Sequence, residues 1–554
     1  MGRRSRFALG ILIVLWLLFF WRQIVGGEVW YCCDNLLVNI PSKVFLAGEL
    51  RQGRFPINNP YIFSGTPFFA DINLSVLHPL NLFYLVLAPF RALTVGILVL
   101  FLVGSIGMYY LGRTLRLGVF ASLFGAVVFG FSGSLVVYAN NIPILQVAVL
   151  VPWVLAVWIR YLGEPTGKWL ASFVIVGSFQ IISGHPQLTF YTWLMLIAYA
   201  IFEKSKPQLI IKAAFFVAVV TSVQVIPFLW FALNSTRVGR NLGISAIDSI
   251  HPLSLIRLVI PGIVGNLYRG TAWIQAGSMH GYVGILPLLL VPFAWKSRAG
   301  KSFLAVAAIS LFLSIGKYGF AWFRETSQFL FFWSFGLAGA AMVAIDNLAG
   351  KARQSRYILI ISLLFLLMAS VPWERLSLPS FFPERLLIKI ASLPWQQRRI
   401  ISESLIYNFS LFGVLGIFAA AVIGRLKSSS VAKTILIGAL FIDLYVYAQT
   451  NVTTIQEKTV LGWQQRTKER VTSWGLSDSY RYYTDPEIYP YPGKIPFGQF
   501  NDPGESEWQF RILRPSLGMM YGVPAVDGYA SMVKSSYQWW FGVPARDPTG
   551  VSIS

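Results

Sequence analysis

The sequence predicts an all-α polytopic membrane bundle with a small α+β domain at its C-terminal end, and three observations carry that prediction. Of 554 residues, 55% are hydrophobic and 12% charged, and the mean hydropathy is +0.61, well outside soluble averages. Apolar runs of about 15–22 residues, the length needed to cross a hydrocarbon core, recur along most of the chain. Lysines and arginines collect in alternate short gaps between those runs, as they do in cytoplasmic loops. The net charge of +22 would point to nucleic acid in a soluble domain. Here the cations read as topology signals and contacts to membrane lipids, and a nucleic-acid role is excluded.

Taken in order, Met1-Gly2-Arg3-Arg4-Ser5-Arg6 precedes an apolar run from Phe7 to Val25. No small-x-small cleavage site follows convincingly, so this is read as a retained first helix with its basic end in the cytoplasm. A large first outer loop, 26–76, comes next. Further spans are expected near 93–112, 119–139, 142–161, 168–183, 188–203, 208–232, 281–296, 301–316, 327–346, 356–372, 407–424 and 434–448, about thirteen with the first. Arg113 and Arg116, Arg160 and Lys168, Lys204 and Lys206, Lys296, Arg298 and Lys301, Lys351, Arg353 and Arg356, and Arg425, Lys427 and Lys433 all fall on the side of the N-terminus. The loops 26–76, 233–280 and 373–406 face the other way, with His78, His185, His251 and His280. Residues 1–448 thus form the transmembrane domain, and 449–554 an extracytoplasmic domain or cap. The tail is rich in Tyr, Trp, Pro and Gly, and its Ser479–Thr484 segment has the alternation of a strand. Gly125, Gly130, Gly133, Gly336 and Gly339 are expected to allow close helix packing. Cys32 and Cys33 are too close in sequence for an ordinary staple between segments and lack the spaced partners of a zinc site.

No phosphate loop, dinucleotide fingerprint, HExxH, Gly-x-Ser-x-Gly or Asp-x-Asp pair is present. What remains is a set of polar groups beside apolar helices on the outer face: Asp34, Glu49 and Asp71, the histidines, and Arg51, Arg54, Arg237, Arg240, Arg257, Arg269 and Arg324. Transfer of a sugar from a polyprenyl-phosphate carrier suits such a set. A phosphate leaves without being protonated, so one general base for the acceptor hydroxyl and cations for the phosphate are enough. A glycosidase has a poorer leaving group and normally needs an acid as well. No histidine pair is assigned as a metal site, and participation of a divalent cation is left open.

At this point the chain resembles the bacterial YfhO-like multi-pass membrane proteins, placed among transferases of the GT-C membrane fold. The resemblance runs through Asp34 and Pro41, Glu49-Leu50-Arg51-x-Gly53-Arg54-Phe55-Pro56, Asn59-Pro60-Tyr61-x-Phe63-x-Gly65-x-Pro67-x-x-Ala70 and His78-Pro79-Leu80-Asn81-Leu82. It continues through Phe131-Ser132-Gly133, Gly184-His185-Pro186-Gln187, Gln224-x-x-Pro227, Ser235-x-Arg237 and Tyr282-x-Gly284. In the tail it takes in Arg514-Pro515-Ser516 and Tyr521-Gly522-Val523-x-x-Val526-x-Gly528-Tyr529. It implies a GT-C-like bundle in the bacterial plasma membrane, a polyprenyl-phosphate-linked sugar as donor, and Asp34 as the catalytic aspartate of the first outer loop. The acceptor would be a cell-envelope glycan or glycolipid. The chain departs from the pattern at Asn58, where a tryptophan is expected, and near Val38, where a glutamine is missing. It departs again where only Phe323-Arg324, Thr326 and Gln328 survive of a Phe-Arg-x-Pro-x-Arg segment, and at Ser516.

Each candidate has a plain structural reading beside the functional one. Asp34, the candidate general base, could be a solvated cap. Arg237 follows a Ser-Thr pair at the outer rim, where a guanidinium can hold phosphate bidentately or simply snorkel. His185 can touch substrate or stabilise its turn; Arg257 and Arg324 are further phosphate candidates. Asp71 is either a substrate contact or a helix cap. Asp443 lies within the last span and by default faces the bundle interior. Gln146, Gln180 and Gln224 are expected to bond between helices. A flippase or transporter of lipid-linked glycans and a non-catalytic membrane scaffold are the competing classes; a flippase would show intramembrane charges and inverted repeats, which are few and absent respectively.

Overall fold

The computed structural model describes residues 2–235, 249–261, 281–316, 325–348, 352–370, 395–423, 425, 429–473, 503–511, 513 and 515–525. The apolar runs form helices, as a chain in hydrocarbon must if its own segment is to satisfy every backbone N–H and C=O. They are α1 (Arg3–Phe19), α2 (Ile40–Arg51, in the first loop), α3 (Pro89–Thr114), α4 (Val119–Gly130), α5 (Gly133–Tyr138), α6 (Ile142–Ala148) and α7 (Val151–Gly163). There follow α8 (Gly167–Ile182), α9 (Pro186–Phe202), α10 (Pro207–Leu233), α11 (Ile285–Leu290), α12 (Arg298–Ser314), α13 (Phe329–Leu348), α14 (Ala352–Ala369), α15 (Trp395–Ile423) and α16 (Ser430–Asn451). Among the described residues, six stretches are long and apolar enough to cross a membrane: Pro89–Thr114, Ile142–Gly163, Pro207–Leu233, Thr326–Leu348, Ile401–Ile423 and Ser430–Asn451.

Several helices begin at the basic loops with a hydroxyl cap, which answers an N–H that has no partner inside the helix. Thr166 accepts from Trp169 N, Ser297 from Gly300 N and Ser429 from Ala432 N. The outward surface is apolar: on α10, Ile211, Phe215, Val223 and Ile226 are 59–67% exposed. Such a face is stable only against lipid. Inside, the small residues do the packing expected of them. A methyl at Gly336 or Gly339 would overlap Phe303 of α12, one at Gly125 would meet Met342 of α13, and one at Gly130 would meet Ser105 of α3.

The expected span 142–161 is two helices in close succession, α6 and α7, and the expected span 119–139 is also two. The 119–139 run breaks at Phe131-Ser132, where Ser132 is extended. The freed Gly133 N–H donates to Tyr282 O at 2.8 Å, and Gly133 is bare because a side chain there would collide with Tyr447. Irregular backbone survives at this depth because a neighbouring segment supplies its partner. The glutamines also divide. Gln180 bonds between helices, to Val147 O and Thr192 Oγ1 at 3.4 Å each. Gln224 instead donates to Phe69 O of the first loop at 2.7 Å.

The tail does not start as a separate body. β1 (Glu28–Trp30) and β4 (Thr454–Gln456) pair antiparallel with Val29 opposite Ile455. Thr454 Oγ1 donates to Glu28 Oε2 at 2.6 Å, Arg22 pairs with Glu28 at 2.6 Å, and Arg91 Nε donates to Glu457 at 3.1 Å. The helix α17 (Glu457–Ser473) then lies on the first loop, with Trp463 edge-on to Tyr31 at 6.1 Å, and α18 (Pro503–Arg511) packs on α17, with Phe510 6.1 Å from Trp463. What is described of the tail is therefore a mainly helical cap on the bundle; Ser479–Thr484 lies outside the described residues.

Asp443 is 4% exposed and faces the interior. It accepts from Tyr282 Oη and from Ile285 N, both at 2.7 Å, and so caps the broken helix α11. Asp443→Ala removes the cap and leaves the buried Tyr282 hydroxyl unpaired, a loss of about 1–3 kcal/mol. Thermal unfolding of the detergent-solubilised protein should show this drop, and Asp443→Asn, which keeps an acceptor, should recover part of it; equal melting temperatures for Asp443→Ala and wild type would refute the assignment.

Candidate functional site

Asp34 opens one continuous helical segment. A π turn, Asn35–Asn39, runs directly into α2. The preceding Cys33 has φ 66° and is bonded to Cys32 as a disulfide between neighbours, with Cα atoms 3.8 Å apart. It therefore ties no distant segments together.

The π turn docks where the bundle is interrupted, between the end of α5 and the start of α6. Asn35 is fully buried there. Its Nδ2 donates to Ala139 O at 2.7 Å, and its Oδ1 accepts from Ile142 N at 3.1 Å and from Asn39 Nδ2 at 3.0 Å. In return Asn141 Nδ2 donates to Asp34 Oδ2 at 2.6 Å. Pro143 sets the start of α6, and Asn140 Oδ1 accepts from Thr453 Oγ1. Asp34 is half-buried. Its carboxylate is held at the boundary between loop and bundle.

His185 lies on the same platform. It is the N-cap of α9 at φ 40°, with Nδ1 accepting from Leu188 N at 3.3 Å. Gly184, at φ 103°, is pressed against Ile72 O, Ser75 Oγ and Pro143, which joins the α8–α9 turn to the first loop and to α6. Only glycine fits this approach. Gln328 Nε2 lies 3.2 Å from His185 Nε2 and donates to Glu325 Oε2 at 2.6 Å. Gln328 Oε1 is buried with no hydrogen-bond partner among the described residues, and Tyr138 Oη donates to Gln328 O at 3.4 Å. Two helix N-termini, those of α9 and α13, thus meet the α5–α6 break in a polar cluster.

The other candidates lie differently. Asp71 is 6% exposed and its Oδ1 accepts from Asn73 N at 3.1 Å and Asn73 Nδ2 at 2.9 Å, the capping geometry. Arg257 is buried and lines a cavity of about 10 Å³, room for one water, with Ser254, Tyr282 and Tyr447. Arg237 and Arg324 lie outside the described residues. Glu49 makes the surface ion pair its spacing suggested, with Arg54 Nε and Nη2 both at 2.8 Å.

Sequence reasoning missed Asn35 and Asn141; the Asn-Asn-x-Pro interruption of an apolar run was their only signal. It also missed Lys43, which is 2% exposed and donates to the carbonyls of Leu74 and Ser75. Burial pushes its ammonium down to about 7. His78 nearby is pushed down to about 3, by burial first and the Lys43 charge second. It stays a neutral acceptor for Leu80 N at 3.3 Å.

No protein-family model matches the chain and no curated protein matches it, so the YfhO-like resemblance rests on the residues quoted for it. Among solved structures, the chain is similar to ArnT from Cupriavidus metallidurans bound to undecaprenyl phosphate, with 13% identity and a TM-score of 0.49, covering 94% of this chain and 89% of that one. It is similar to the same protein in the apo state, at 13% identity and a TM-score of 0.46, covering 94% and 84%. The Archaeoglobus fulgidus oligosaccharyltransferase in the apo form gives 12% identity and a TM-score of 0.43, covering 94% and 64%.

Lys43 makes stability depend on pH in a set direction. Below pH 7 it is protonated folded and unfolded, and the burial penalty is complete. Between about 7 and 10.5 the unfolded chain binds the extra proton, so stability rises with pH, by a few kcal/mol over the whole window. Melting curves between about pH 7 and 9 should show this rise in wild type and a flatter profile in Lys43→Met; parallel profiles would show that Lys43 is not the titrating group.

Proposed function

We propose that this protein is a membrane glycosyltransferase of the GT-C kind, which moves a sugar from a polyprenyl-phosphate donor to a cell-envelope acceptor on the extracytoplasmic face. The observation that carries the reading is the pair Asp34–Asn141. A carboxylate in the first long loop is oriented by an amide from the turn between α5 and α6, both buried in the bundle. In the reaction, the acceptor O–H gives its proton to Asp34 while its oxygen forms the bond to the anomeric carbon. The bond from that carbon to the phosphate oxygen breaks, and the phosphate leaves with the electron pair. The configuration at that carbon inverts.

A carboxylate has lone pairs enough to accept from Asn141 and from an acceptor hydroxyl together. Arg237 and Arg324 are the proposed cations for the departing phosphate. His185 and the amide oxygen of Gln328 face the polar cluster where the two helix N-termini favour negative charge. Asp71, spent on Asn73, and Arg257, buried beside Tyr282, are assigned positioning roles. The alternation of basic loops supports a cytoplasmic N-terminus with the first loop outside.

Asp34→Asn should abolish transfer while leaving protein abundance and melting temperature unchanged, because the amide keeps the shape of the side chain and an acceptor for Asn141. The envelope glycans of cells lacking the gene, complemented with wild type or with Asp34→Asn, provide the test. A glycan profile that the variant restores as fully as wild type would leave a scaffold as the better reading. Asn141→Ala, which frees the carboxylate to rotate, should cut turnover by about tenfold to a hundredfold with a far smaller effect on stability.

A further inference from the structure

We propose that the first loop carries a second, separate binding site, a subsite for an uncharged polyhydroxylated glycan chain. A cavity of about 670 Å³ is lined by Phe45 and Glu49 of α2, by Arg54, and by Asn58, Tyr61 and Thr66 of the adjoining hairpin. That volume lies within the range of small-ligand pockets, about 300–1,000 Å³. The hairpin pairs β2 (Asn58–Asn59) with β3 (Thr66–Pro67).

Its shape is built in. Phe63 and Ser64 have φ of 49° and 53°, a left-handed conformation costly for side chains of this size. The tail holds the loop in it: Ala525 N donates to Tyr61 O at 2.8 Å, Ser64 N donates to Ala525 O at 3.4 Å, and Asn59 Nδ2 donates to Met519 Sδ at 2.9 Å. Tyr61 stands edge-on to Phe45 at 5.6 Å.

The wall selects the ligand. Glu49 and Arg54 neutralise one another in a two-bond pair, and Arg54 holds the Glu49 carboxyl below its usual range. Among the described residues that line the cavity, no uncompensated cation remains to attract a phosphate, and the polar rim is wrong for a lipid chain. Asn58, Ser64, Thr66 and the Tyr61 hydroxyl both donate and accept, as sugar hydroxyls do, while the flat faces of Pro60 and Tyr61 suit the C–H face of a sugar ring.

The distance to Asp34 sets the length of the ligand. Glu49 is fifteen residues beyond Asp34 on one continuous helical segment, about 22 Å away along the axis at about 1.5 Å per residue. One short acceptor cannot reach both ends. If the transferase reading holds, the acceptor is a glycan polymer whose body rests in this cavity while its end reaches Asp34.

The test uses the full-length protein in detergent and, as probe, size-fractionated envelope glycans from cells lacking the gene, in binding and sugar-transfer assays. Long chains should bind wild type and Asp34→Asn alike, and bind Tyr61→Ala and Asn58→Ala at least about tenfold more weakly at unchanged melting temperature. Transfer to long chains should show a raised KM in the two cavity variants. Equal binding by all four proteins, or no binding of long chains by wild type, overturns the subsite. Binding lost in the cavity variants with no transfer by wild type upholds the subsite and overturns the transferase.

Discussion

The arrangement depends on how one interruption inside an apolar bundle is repaired. Where α5 ends and α6 begins, a carbonyl and an N–H lose their helical partners and need others. The fully buried amide of Asn35 answers both, through Ala139 O and Ile142 N. Because Asn35 belongs to the first loop, the repair also locks that loop to the membrane helices. Asp34, one residue earlier, inherits a fixed place, and Asn141 fixes its direction.

The same economy of polar groups recurs through the bundle. Asp443 serves the N-terminus of α11, Tyr282 O serves Gly133 N, and Gln224 serves the loop carbonyl of Phe69. These groups are consumed by structure, as an apolar surrounding requires of any buried polar atom. Gln328 differs: its buried amide oxygen has no partner among the described residues, as is also true of Gln146 Oε1 and Gln180 Oε1. Gln328 stands beside His185 and Glu325, at the end of the bundle to which Asp34 is tied. The polar chemistry thus collects at one end while the helices below it present apolar surface to lipid.

The described tail belongs to this same end. β4 completes a strand pair with β1, and residues 515–525 brace the hairpin that shapes the glycan cavity. First loop and tail, some four hundred residues apart in the chain, make one surface. That surface has two stations, a carboxylate at the start of α2's helical segment and a neutral cleft at its end.

Much of this was legible in residue order. Apolar runs of span length had to become helices, since no other open structure satisfies its backbone in lipid. Small residues such as Gly336 and Gly339 pointed to close packing, and Asp34 stood out as an acid at the mouth of a bundle. Hydropathy could not show that the 119–139 run is two helices, because the break is stabilised by Tyr282, far away in sequence. Nor could spacing reveal Asn141 beside Asp34, Lys43 buried among carbonyls, or the cleft beside Glu49. Local propensity and hydropathy are properties of neighbouring residues, so the sequence by itself determined which segments are helical and which are membrane-bound. The orientation of a carboxylate and the enclosure of a cavity are set by partners brought together from distant segments, and only tertiary structure decided those.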